Sequence, residues 1–347
     1  MKAPGIGIRA DGSCQIGMGH LVRCMSVAEA LTAKNASVVF ITKYKESREF
    51  LKEKGFECIL LSEQYETMEA ELEETSALVA SLGIKLLLVD SYDASGLYLE
   101  HIGRLTNVFY MDDFGRMDLP VRGIINYNIY GPKMDYRKYY GPETILLLGA
   151  DYAPVREAFS GQNYQVRPAV NKIMITMGGS DSYNIGGRLV GLLQGELPED
   201  IAITLICGKF NPHLEGLKKL AASEPRLTVL VNVPDMWRVM AESDLVITAA
   251  GSTMYELCAV GVPSICLYYA GNQKMGAVAF AEQLSQPEPV DYASEPQRAL
   301  GQVTELTKHY INDVQIRRNV SLKMRALCDG KGTERIAQKL VDFVKQL

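Results

Sequence analysis

The fold class of this chain is decided by the stretch Ile6-Gly-Ile-Arg-Ala-Asp-Gly-Ser-Cys-Gln-Ile-Gly-Met-Gly-His20. It joins a short apolar run, typical of a buried β-strand, to a helical pattern that begins at Leu21. Gly17 and Gly19 would let the backbone turn tightly between the two elements and approach a ligand closely. A strand, a glycine-rich turn and a helix in this order are typical of a Rossmann-like βα unit.

Short apolar runs alternate with helical patterns through both halves of the chain. In the first half we predict strands at residues 6–9, 38–41, 58–61, 86–90, 108–111 and 124–126, with helices at 21–34, 47–54 and 67–82. In the second half we predict strands at 172–177, 203–207, 227–230, 245–248 and 264–268, with helices at 184–194, 212–222, 235–242, 252–260 and 274–284. Buried strands that alternate with helices predict an α/β fold with parallel sheets.

The polar segment 160–168 separates the two halves and is predicted to be a linker. We therefore predict a Rossmann-like domain at 1–160, a second one at 168–310, and C-terminal helices at 311–347 that pack back toward the first domain. Ligands of open α/β sheets bind outside the carboxyl ends of the strands. Two such edges facing each other would form a deep cleft.

The bulk composition excludes several classes of function. The chain has 347 residues and a formal net charge of −5, which predicts two domains and no basic surface for nucleic acid. Its apolar runs are far shorter than the roughly 18 residues that span a bilayer, and no signal peptide is recognised. Seven cysteines without a C-x-x-C pair indicate buried thiols in a reducing compartment. We expect a cytoplasmic protein with neither metal nor cofactor; its four histidines lack ligand-like spacing.

The histidine that ends the first glycine-rich turn is the leading catalytic candidate. A neutral imidazole at this helix start could take a proton from an attacking nucleophile. The N–H groups at the same helix start would favour an anion. The alternative interpretation is structural: the glycines form only a turn, and His20 is a helix cap.

Two loops of the second half are predicted to bind a diphosphate or a sugar. Gly178, Gly179 and Ser180 follow the first strand of that half, and Ser180 or Asp181 could instead merely cap the next helix. The other loop, which also opens a helix, contains Gly251, Ser252 and Thr253, followed by Glu256. A carboxylate one turn into that helix suits the hydroxyls of a ribose. Alternatively, Glu256 closes a capping box with Thr253.

Three smaller features lie after other strands. Asp90-Ser91-Tyr92 ends a strongly apolar strand, at the edge where active-site residues collect. Asp112-Asp113 ends the next strand and could hold a sugar or orient His20, or be a solvated turn. The side-chain amides of Asn272 and Gln273 could bind sugar hydroxyls or cap a helix.

Taken together, three motifs resemble a known family. These are Ile8-Arg-Ala-Asp-Gly-Ser-x-x-Ile-Gly-Met-Gly-His-Leu-x-Arg23, Met177-Gly-Gly-Ser-Asp181 and Ala249-Ala-Gly-Ser-Thr-x-x-Glu256. They resemble the UDP-2,4-diacetamido-2,4,6-trideoxy-β-L-altropyranose hydrolases of pseudaminic acid biosynthesis (the PseG family) and related spore-coat polysaccharide proteins. More distantly, the chain is similar to the N-acetylglucosaminyltransferase that makes lipid II (MurG), which has the GT-B fold.

The resemblance implies roles for individual residues. His20 would be the general base and Tyr92 a second catalytic residue, while Gly251, Ser252 and Glu256 would bind the nucleotide. We also count Asp113 among the catalytic candidates. The substrate-binding set is completed by Gly17, Gly19, Arg23, Gly178, Gly179, Ser180, Thr253, Asn272 and Gln273. The acid that usually precedes Asn-Gln in the family is replaced by Gly271.

The predicted reaction is hydrolysis of a UDP-sugar. UDP is a good leaving group, so the site needs a base for water and donors for the diphosphate charge. Attack of water from the face opposite UDP would invert the anomeric centre and release a free diacetamido-trideoxy sugar. The alternatives are a GT-B glycosyltransferase, which would use an acceptor hydroxyl in place of water, and a sugar-nucleotide-binding protein without turnover.

Overall fold

The computed structural model describes residues 5–13, 16–62, 65–208, 211–284, 286 and 288–347. The chain divides into two compact units. The first unit is Met1–Glu157 together with Lys331–Leu347, and the second unit is Ala158–Gly330. Among the described residues no helix is both long enough and apolar enough to cross a bilayer.

The first unit contains a parallel sheet of seven strands. The strands are β1 (Ile6–Ala10), β2 (Val38–Thr42), β3 (Cys58–Leu60), β4 (Leu86–Asp90), β5 (Asn107–Met111), β6 (Gly123–Asn126) and β7 (Ile145–Leu148). Their order in the sheet is β3-β2-β1-β4-β5-β6-β7. The helices are α1 (Gly19–Ala33), α2 (Lys45–Glu53), α3 (Leu72–Leu82), α4 (Gly96–Gly103), α5 (Tyr136–Tyr139) and the last helix, α13 (Gly332–Lys345). The central strands β1 and β4 are buried along their whole length, which explains why they are almost continuously apolar in sequence.

The second unit repeats this plan with six parallel strands. They are β8 (Lys172–Thr176), β9 (Ala202–Cys207), β10 (Leu227–Val231), β11 (Leu245–Ala249), β12 (Ser264–Tyr268) and β13 (Val290–Asp291), in the order β10-β9-β8-β11-β12-β13. The helices are α6 (Ile185–Glu196), α7 (Leu214–Ser223), α8 (Met236–Glu242), α9 (Thr253–Val260), α10 (Lys274–Leu284), α11 (Pro296–Asn312) and α12 (Val314–Leu327).

In each sheet the strand order reverses beside its first strand. The reversal lies between β1 and β4 in the first unit and between β8 and β11 in the second. Crevices that accept ligands form at such switch points, outside the carboxyl ends of the strands. The loop before α1, the end of β4, and the loops after β8 and β11 therefore occupy the two positions where binding is expected.

The division of the chain differs from the predicted domain boundaries. Tyr164, inside the predicted linker 160–168, is buried, and Arg167 pairs with Asp244 at 2.8 Å, so this segment is packed within the second unit. The second unit also continues past residue 310, because α12 packs on α9 and α11. Only α13 of the predicted C-terminal helices is part of the first unit, where it packs on α1.

Candidate functional site

The first candidate site lies at the switch point of the first sheet. Ala10, the last residue of β1, is paired in register with Asp90, the last residue of β4. His20 is the second residue of α1, the helix that follows β1. Because β4 pairs in parallel with β1, the carboxyl ends of the two strands lie side by side, and residues far apart in sequence meet at this edge. Cys14 and Gln15 of the glycine-rich turn lie outside the described residues.

Asp90 holds the imidazole of His20. The Nδ1 atom of His20 lies 2.6 Å from Oδ1 of Asp90, and the His20 side chain is 16% exposed. The ring of Tyr92 meets the imidazole edge-on, with 4.4 Å between the ring centroids. The imidazole makes two polar contacts, both at Nδ1, and within the described residues none is made at Nε2. The imidazole is therefore fixed on one side and open on the other.

Arg23 connects the two carboxylates of the site. Its Nε and Nη2 atoms donate to the two oxygens of Asp90, both at 2.6 Å. Its Nη1 donates to Asp113 at 2.8 Å and to the hydroxyl of Tyr127 at 2.9 Å. Arg23 is buried, so the substrate-binding role predicted for it is replaced by contacts within the protein. Burial alone would raise the pKa of Asp90, but the charges and hydrogen bonds of Arg23 and His20 hold it well below its ordinary value.

Asp113 and Tyr92, the other two catalytic candidates, are hydrogen-bonded to each other. The Tyr92 hydroxyl donates to Oδ2 of Asp113 at 2.7 Å, and the Nδ2 of Asn128 donates to Oδ1 at 3.0 Å. Burial and the neighbouring Asp113 carboxylate raise the pKa of Tyr92 far above its ordinary value. Tyr92 therefore keeps its proton, and Asp113 already accepts hydrogen bonds from three side chains. Both fit a positioning role better than that of a base.

The suggestion that Asp112 or Asp113 orients His20 is wrong, because the carboxylate that contacts the imidazole belongs to Asp90. Asp112 is buried and is not a solvated turn residue. It accepts hydrogen bonds from the backbone N–H groups of Phe114 and Arg116, at 2.9 and 2.7 Å, and from the hydroxyl of Tyr136 at 2.6 Å. Burial raises the pKa of Asp112, and these hydrogen bonds offset part of that increase. Its role is to shape the loop after β5.

A cavity of about 130 Å³ opens beside the imidazole. This volume suits a few water molecules or part of one sugar ring, since a water occupies about 30 Å³ of liquid. The cavity is lined by His20, Asp90, Ser91 and Tyr92 from the switch point, and by Asp11, Ile16, Lys43, Tyr44 and Asp93 around it. A small cavity that the His20 side chain borders is suited to a water molecule and the reacting end of a substrate.

The glycines of the turn before α1 have the geometry that the sequence predicts. Gly17 has a φ of 80°, which favours glycine, and its backbone pairs with that of Ser13. Gly19 is the first residue of α1, and both glycines are exposed. The exposed backbone at this helix start is open to a ligand.

The loop after β8 is exposed at the switch point of the second sheet. Gly178, with a φ of 86°, Gly179 and Ser180 are all exposed. The side chain of Asp181 accepts from the N–H groups of Ile185 and Gly186, at 2.8 and 2.9 Å, so Asp181 caps α6. Ser180 is therefore not used as the cap. A Cβ atom at Gly208 would lie 1.9 Å from the carbonyl oxygen of Gly179, so that position requires glycine.

The loop after β11 leads directly into α9. This helix begins at Thr253, and the preceding Ser252 is exposed and makes no side-chain cap. Thr253 is therefore the first helical residue rather than the cap, and the capping box predicted between Thr253 and Glu256 does not have the required register. Gly251 and Glu256 are half-buried. The N–H groups of Met254 and Tyr255 already donate to the carbonyls of Gly251 and Ser252, so the candidate donors to an anion at the start of α9 are the N–H groups of Ser252 and Thr253.

The two amides after β12 differ in their surroundings. Asn272 is exposed, whereas the Oε1 atom of Gln273 accepts a hydrogen bond from the backbone N–H of Tyr269 at 3.1 Å. Gln273 thus stabilises its own loop through Oε1, which leaves the N–H groups of its amide as the candidate donors to a sugar. Across the described parts of both units, no group of three or more His, Cys, Asp or Glu side chains is arranged to hold a metal ion.

The sequence places Asp90 at an edge where active-site residues collect but does not assign it a role, and the structure shows that it contacts His20. Its position at the end of an apolar strand was a signal, because the carboxyl ends of parallel strands collect active-site residues. Its pairing with His20, 70 residues earlier in the chain, depends on β1 lying next to β4. The local sequence contains no information about that adjacency.

Comparison with known proteins agrees with this architecture. Residues 173–312 match the Glycosyltransferase family 28 C-terminal domain. The chain is 27% identical to the spore coat polysaccharide biosynthesis protein SpsG of Bacillus subtilis, over 98% of this chain and 99% of that protein. It is 24% identical to the UDP-2,4-diacetamido-2,4,6-trideoxy-β-L-altropyranose hydrolase of Campylobacter jejuni, over 79% of this chain and 95% of that protein.

Solved structures agree on the fold. MurG of Acinetobacter baumannii superposes with a TM-score of 0.69 at 16% identity, over 99% of both chains. The complex of S. aureus MnaA with UDP superposes with a TM-score of 0.65 at 13% identity, over 99% of this chain and 97% of that one. The predicted class, an α/β protein of the GT-B type with two parallel-sheet domains, is confirmed.

Proposed function

We propose that this protein is an enzyme that acts on a UDP-sugar and hydrolyses it at the anomeric carbon. The use of a UDP-sugar is supported by the match to glycosyltransferase family 28, by the relationship to the Campylobacter hydrolase, and by the UDP complex of the structural neighbour MnaA. The loop after β11 would bind the UDP moiety through N–H groups at the start of α9, and the exposed loop after β8 would bind it through the backbone of Gly178 to Ser180.

One observation carries the proposal of hydrolysis. His20 lies against a cavity of about 130 Å³ while its Nδ1 atom is held by a buried carboxylate, which leaves Nε2 directed away from that contact. A base in this position would take a proton from water as the water attacks the anomeric carbon. Attack opposite the departing UDP would invert that centre and release UDP and a free sugar. By its relationship to the Campylobacter hydrolase, we propose a diacetamido-trideoxy sugar.

The second candidate is a GT-B glycosyltransferase. The family 28 match and the MurG superposition favour it, since an acceptor hydroxyl could take the place of water beside the same base. The third is a protein that binds a sugar nucleotide without turnover. We propose a cytoplasmic location, because the six described cysteines are free and five of them are buried, as expected in a reducing compartment.

Incubation with a panel of UDP-sugars distinguishes these candidates. The panel should include UDP-2,4-diacetamido-2,4,6-trideoxy-β-L-altropyranose, UDP-N-acetylglucosamine and UDP-glucose, and UDP release should be measured without an acceptor. We expect release of UDP together with a free sugar of inverted configuration. Release only after addition of a hydroxyl acceptor would support the transferase, and binding without release would support the non-catalytic protein.

A further inference from the structure

We propose that Asp90, held in place by Arg23, is a positioning residue that keeps the His20 proton on Nδ1 and the lone pair on Nε2. The inference rests on the proposed role of His20 as the base and extends it to the residues that make the imidazole a base. It also assigns Arg23 to this task rather than to the substrate.

The position of the proton follows from the contact between the two side chains. Oδ1 of Asp90 lies 2.6 Å from Nδ1 of His20, which is a hydrogen-bond distance. An ionised carboxylate only accepts hydrogen bonds, so Nδ1 must be the donor. In a neutral imidazole with its proton on Nδ1, the other nitrogen carries the lone pair. Nε2 is then the atom that can take a proton.

Arg23 does not compete for Nδ1. Its Nη2 atom lies 3.0 Å from Nδ1 but 2.6 Å from Oδ1 of Asp90. A guanidinium is always protonated and offers only donors, so it cannot pair with an N–H group. The Nη2 hydrogen is therefore donated to Asp90, and the three side chains form a single chain of compatible donors and acceptors.

The same arrangement prevents Asp90 from moving. The guanidinium of Arg23 donates hydrogen bonds to both oxygens of Asp90, and its Nη1 donates to Asp113 and Tyr127. The plane of the imidazole is limited separately by the ring of Tyr92, whose hydroxyl is also tied to Asp113. Arg23 therefore supports both residues that position the imidazole: Asp90 directly, and Tyr92 through Asp113. A base held in one rotamer and one tautomer avoids the entropic cost of finding them during the reaction.

The charges within this group also favour the reaction. Arg23 contributes one positive charge, and Asp90 and Asp113 contribute two negative charges, so the three buried side chains carry a net charge of about −1 at neutral pH. When His20 takes a proton from the attacking water, the imidazolium balances this excess. Electrostatic stabilisation of a charge that develops in the transition state raises kcat rather than substrate affinity.

The substitution Asp90→Asn tests the inference. Asparagine can still accept from Arg23, but its amide can donate to Nδ1 and thereby favour the proton on Nε2. Tautomers can be read from long-range proton–nitrogen correlation spectra of histidine-labelled protein, with the His20 signals assigned by their absence in His20→Asn. We expect the Nδ1–H form in the parent and the Nε2–H form in Asp90→Asn. We expect kcat to fall by about 10²–10⁴-fold, the range for loss of a general base, with KM changed by no more than about twofold, as for an interaction made in the transition state.

A matched control is available in the second unit. Asp244 is also buried and paired with an arginine, Arg167, at 2.8 Å, and it accepts from the backbone N–H groups of Asn171 and Lys172. Asp244→Asn removes the same charge from a buried aspartate without touching His20, although its partner Arg167 is more exposed than Arg23. We expect it to lower thermal stability while leaving the His20 tautomer and kcat as in the parent.

The outcomes are separable from those that test the proposed function. A spectrum of the parent protein with the His20 proton on Nε2 would overturn the inference even if the UDP-sugar is hydrolysed. If Asp90→Asn fails to fold, the parental spectrum alone tests the inference. An unchanged tautomer or unchanged kcat in folded Asp90→Asn would overturn it as well. An Nδ1–H parent that shifts in Asp90→Asn, with no turnover of any UDP-sugar, would support the inference on positioning and defeat the proposed reaction.

Discussion

At the residue scale the proposed chemistry depends on His20, whose imidazole borders the cavity and contacts Asp90. We expect His20→Asn to lower kcat by about 10²–10⁴-fold, because loss of a general base typically costs that much. UDP affinity should remain as in the parent, since the proposal assigns UDP to the loops of the second unit. Rates of UDP release and calorimetric titration with UDP measure the two quantities. Turnover above about a tenth of the parental value would reject His20 as the base.

The pH dependence of kcat/KM should distinguish a role of His20 from roles of Asp90 and Tyr92. The pKa of Asp90 is held well below its ordinary value, so Asp90 is ionised at all pH values above about 4, the ordinary value for aspartate. Its contribution to stability is present above that pH and is lost only as the pH falls toward its lowered pKa. An acid limb of kcat/KM above that pH should therefore not come from Asp90, and we expect any such limb to depend on the imidazole of His20.

The check is a pH–rate profile of the parent beside that of His20→Asn. The acid limb should be present in the parent and absent from the residual activity of the variant. Tyr92 should add no alkaline limb within the stable range of the protein, because burial and Asp113 raise its pKa far above the ordinary value. An acid limb that persists without the imidazole would assign the titration to another group.

The residues of this site were predictable to different degrees. His20 follows a local pattern, since its glycine-rich turn joins a strand to a helix, and the structure has both elements. The contact with Asp90 and the burial of Arg23 arise from strand adjacency, which no local pattern encodes. Arg23 in particular looks like a ligand for an anion in sequence, because a charged residue one turn into such a helix is usually solvated. Here two buried carboxylates replace the solvent.

At the scale of elements, the long and strongly apolar segments were predicted well. The predicted strand 86–90 and helix 274–284 agree with β4 and α10 at both ends. The short elements β7, β13 and α4 were not predicted, because four, two and eight residues give too little periodicity to recognise. The helix predicted at 67–82 begins only at Leu72, after a turn that brings Glu71 to the buried Arg9.

The start of α9 should decide the affinity for UDP. We expect Glu256→Ala to weaken UDP binding by about 1.5–3 kcal/mol, the typical value of a hydrogen bond to a charged group, if Glu256 accepts from the ribose hydroxyls. A matched control is Glu215→Ala, which removes an exposed glutamate from the first turn of α7 in the same unit. Calorimetric titration with UDP measures both variants. Equal affinities in Glu256→Ala and the parent would remove Glu256 from the nucleotide site.

At the scale of the whole molecule, the number and type of domains and the end of the first one near residue 160 were predictable, whereas the linker and the boundary at 310 were not. The duplicated alternation of strands and helices predicts two parallel sheets, which the structure has. The boundary predictions failed where polar sequence is nevertheless packed: Tyr164 is buried, and Arg317 is fully buried while its guanidinium donates to the carbonyls of Arg167 and Pro168. Composition cannot distinguish such a segment from a solvated linker.

Activity should not require a divalent metal ion. The proposed diphosphate contacts are backbone N–H groups in the loop after β8 and at the start of α9, which can offset the leaving-group charge without an ion. UDP release should therefore be the same with EDTA as with added magnesium or manganese. Activity that is abolished by EDTA and restored by either ion would contradict this expectation, and Asp112 and Asp113 would then have to be re-examined as ligands.

The last helix should stabilise the unit that contains His20. α13 returns to the first unit and packs on α1, the helix that begins at Gly19, and Phe343 meets Phe109 of β5 with 5.2 Å between ring centroids. Leu340 is fully buried on α13. Truncation of a buried leucine to alanine typically costs 2–5 kcal/mol, because a cavity remains where the side chain was.

We therefore expect Leu340→Ala to lower the free energy of unfolding of the first unit by about 2–5 kcal/mol. Hydrogen exchange reports this locally: amides of β1 and α1 should exchange faster, while those of β8 and α9 in the second unit should change little. The neighbouring substitution Lys339→Ala is the control, since Lys339 is exposed on the same helix. Faster exchange confined to the second unit would mean that α13 stabilises the other half of the molecule, whereas unchanged exchange in both would mean that the helix contributes little to either. The expected result would make α13, which begins only at Gly332, part of the support for the proposed catalytic residue His20.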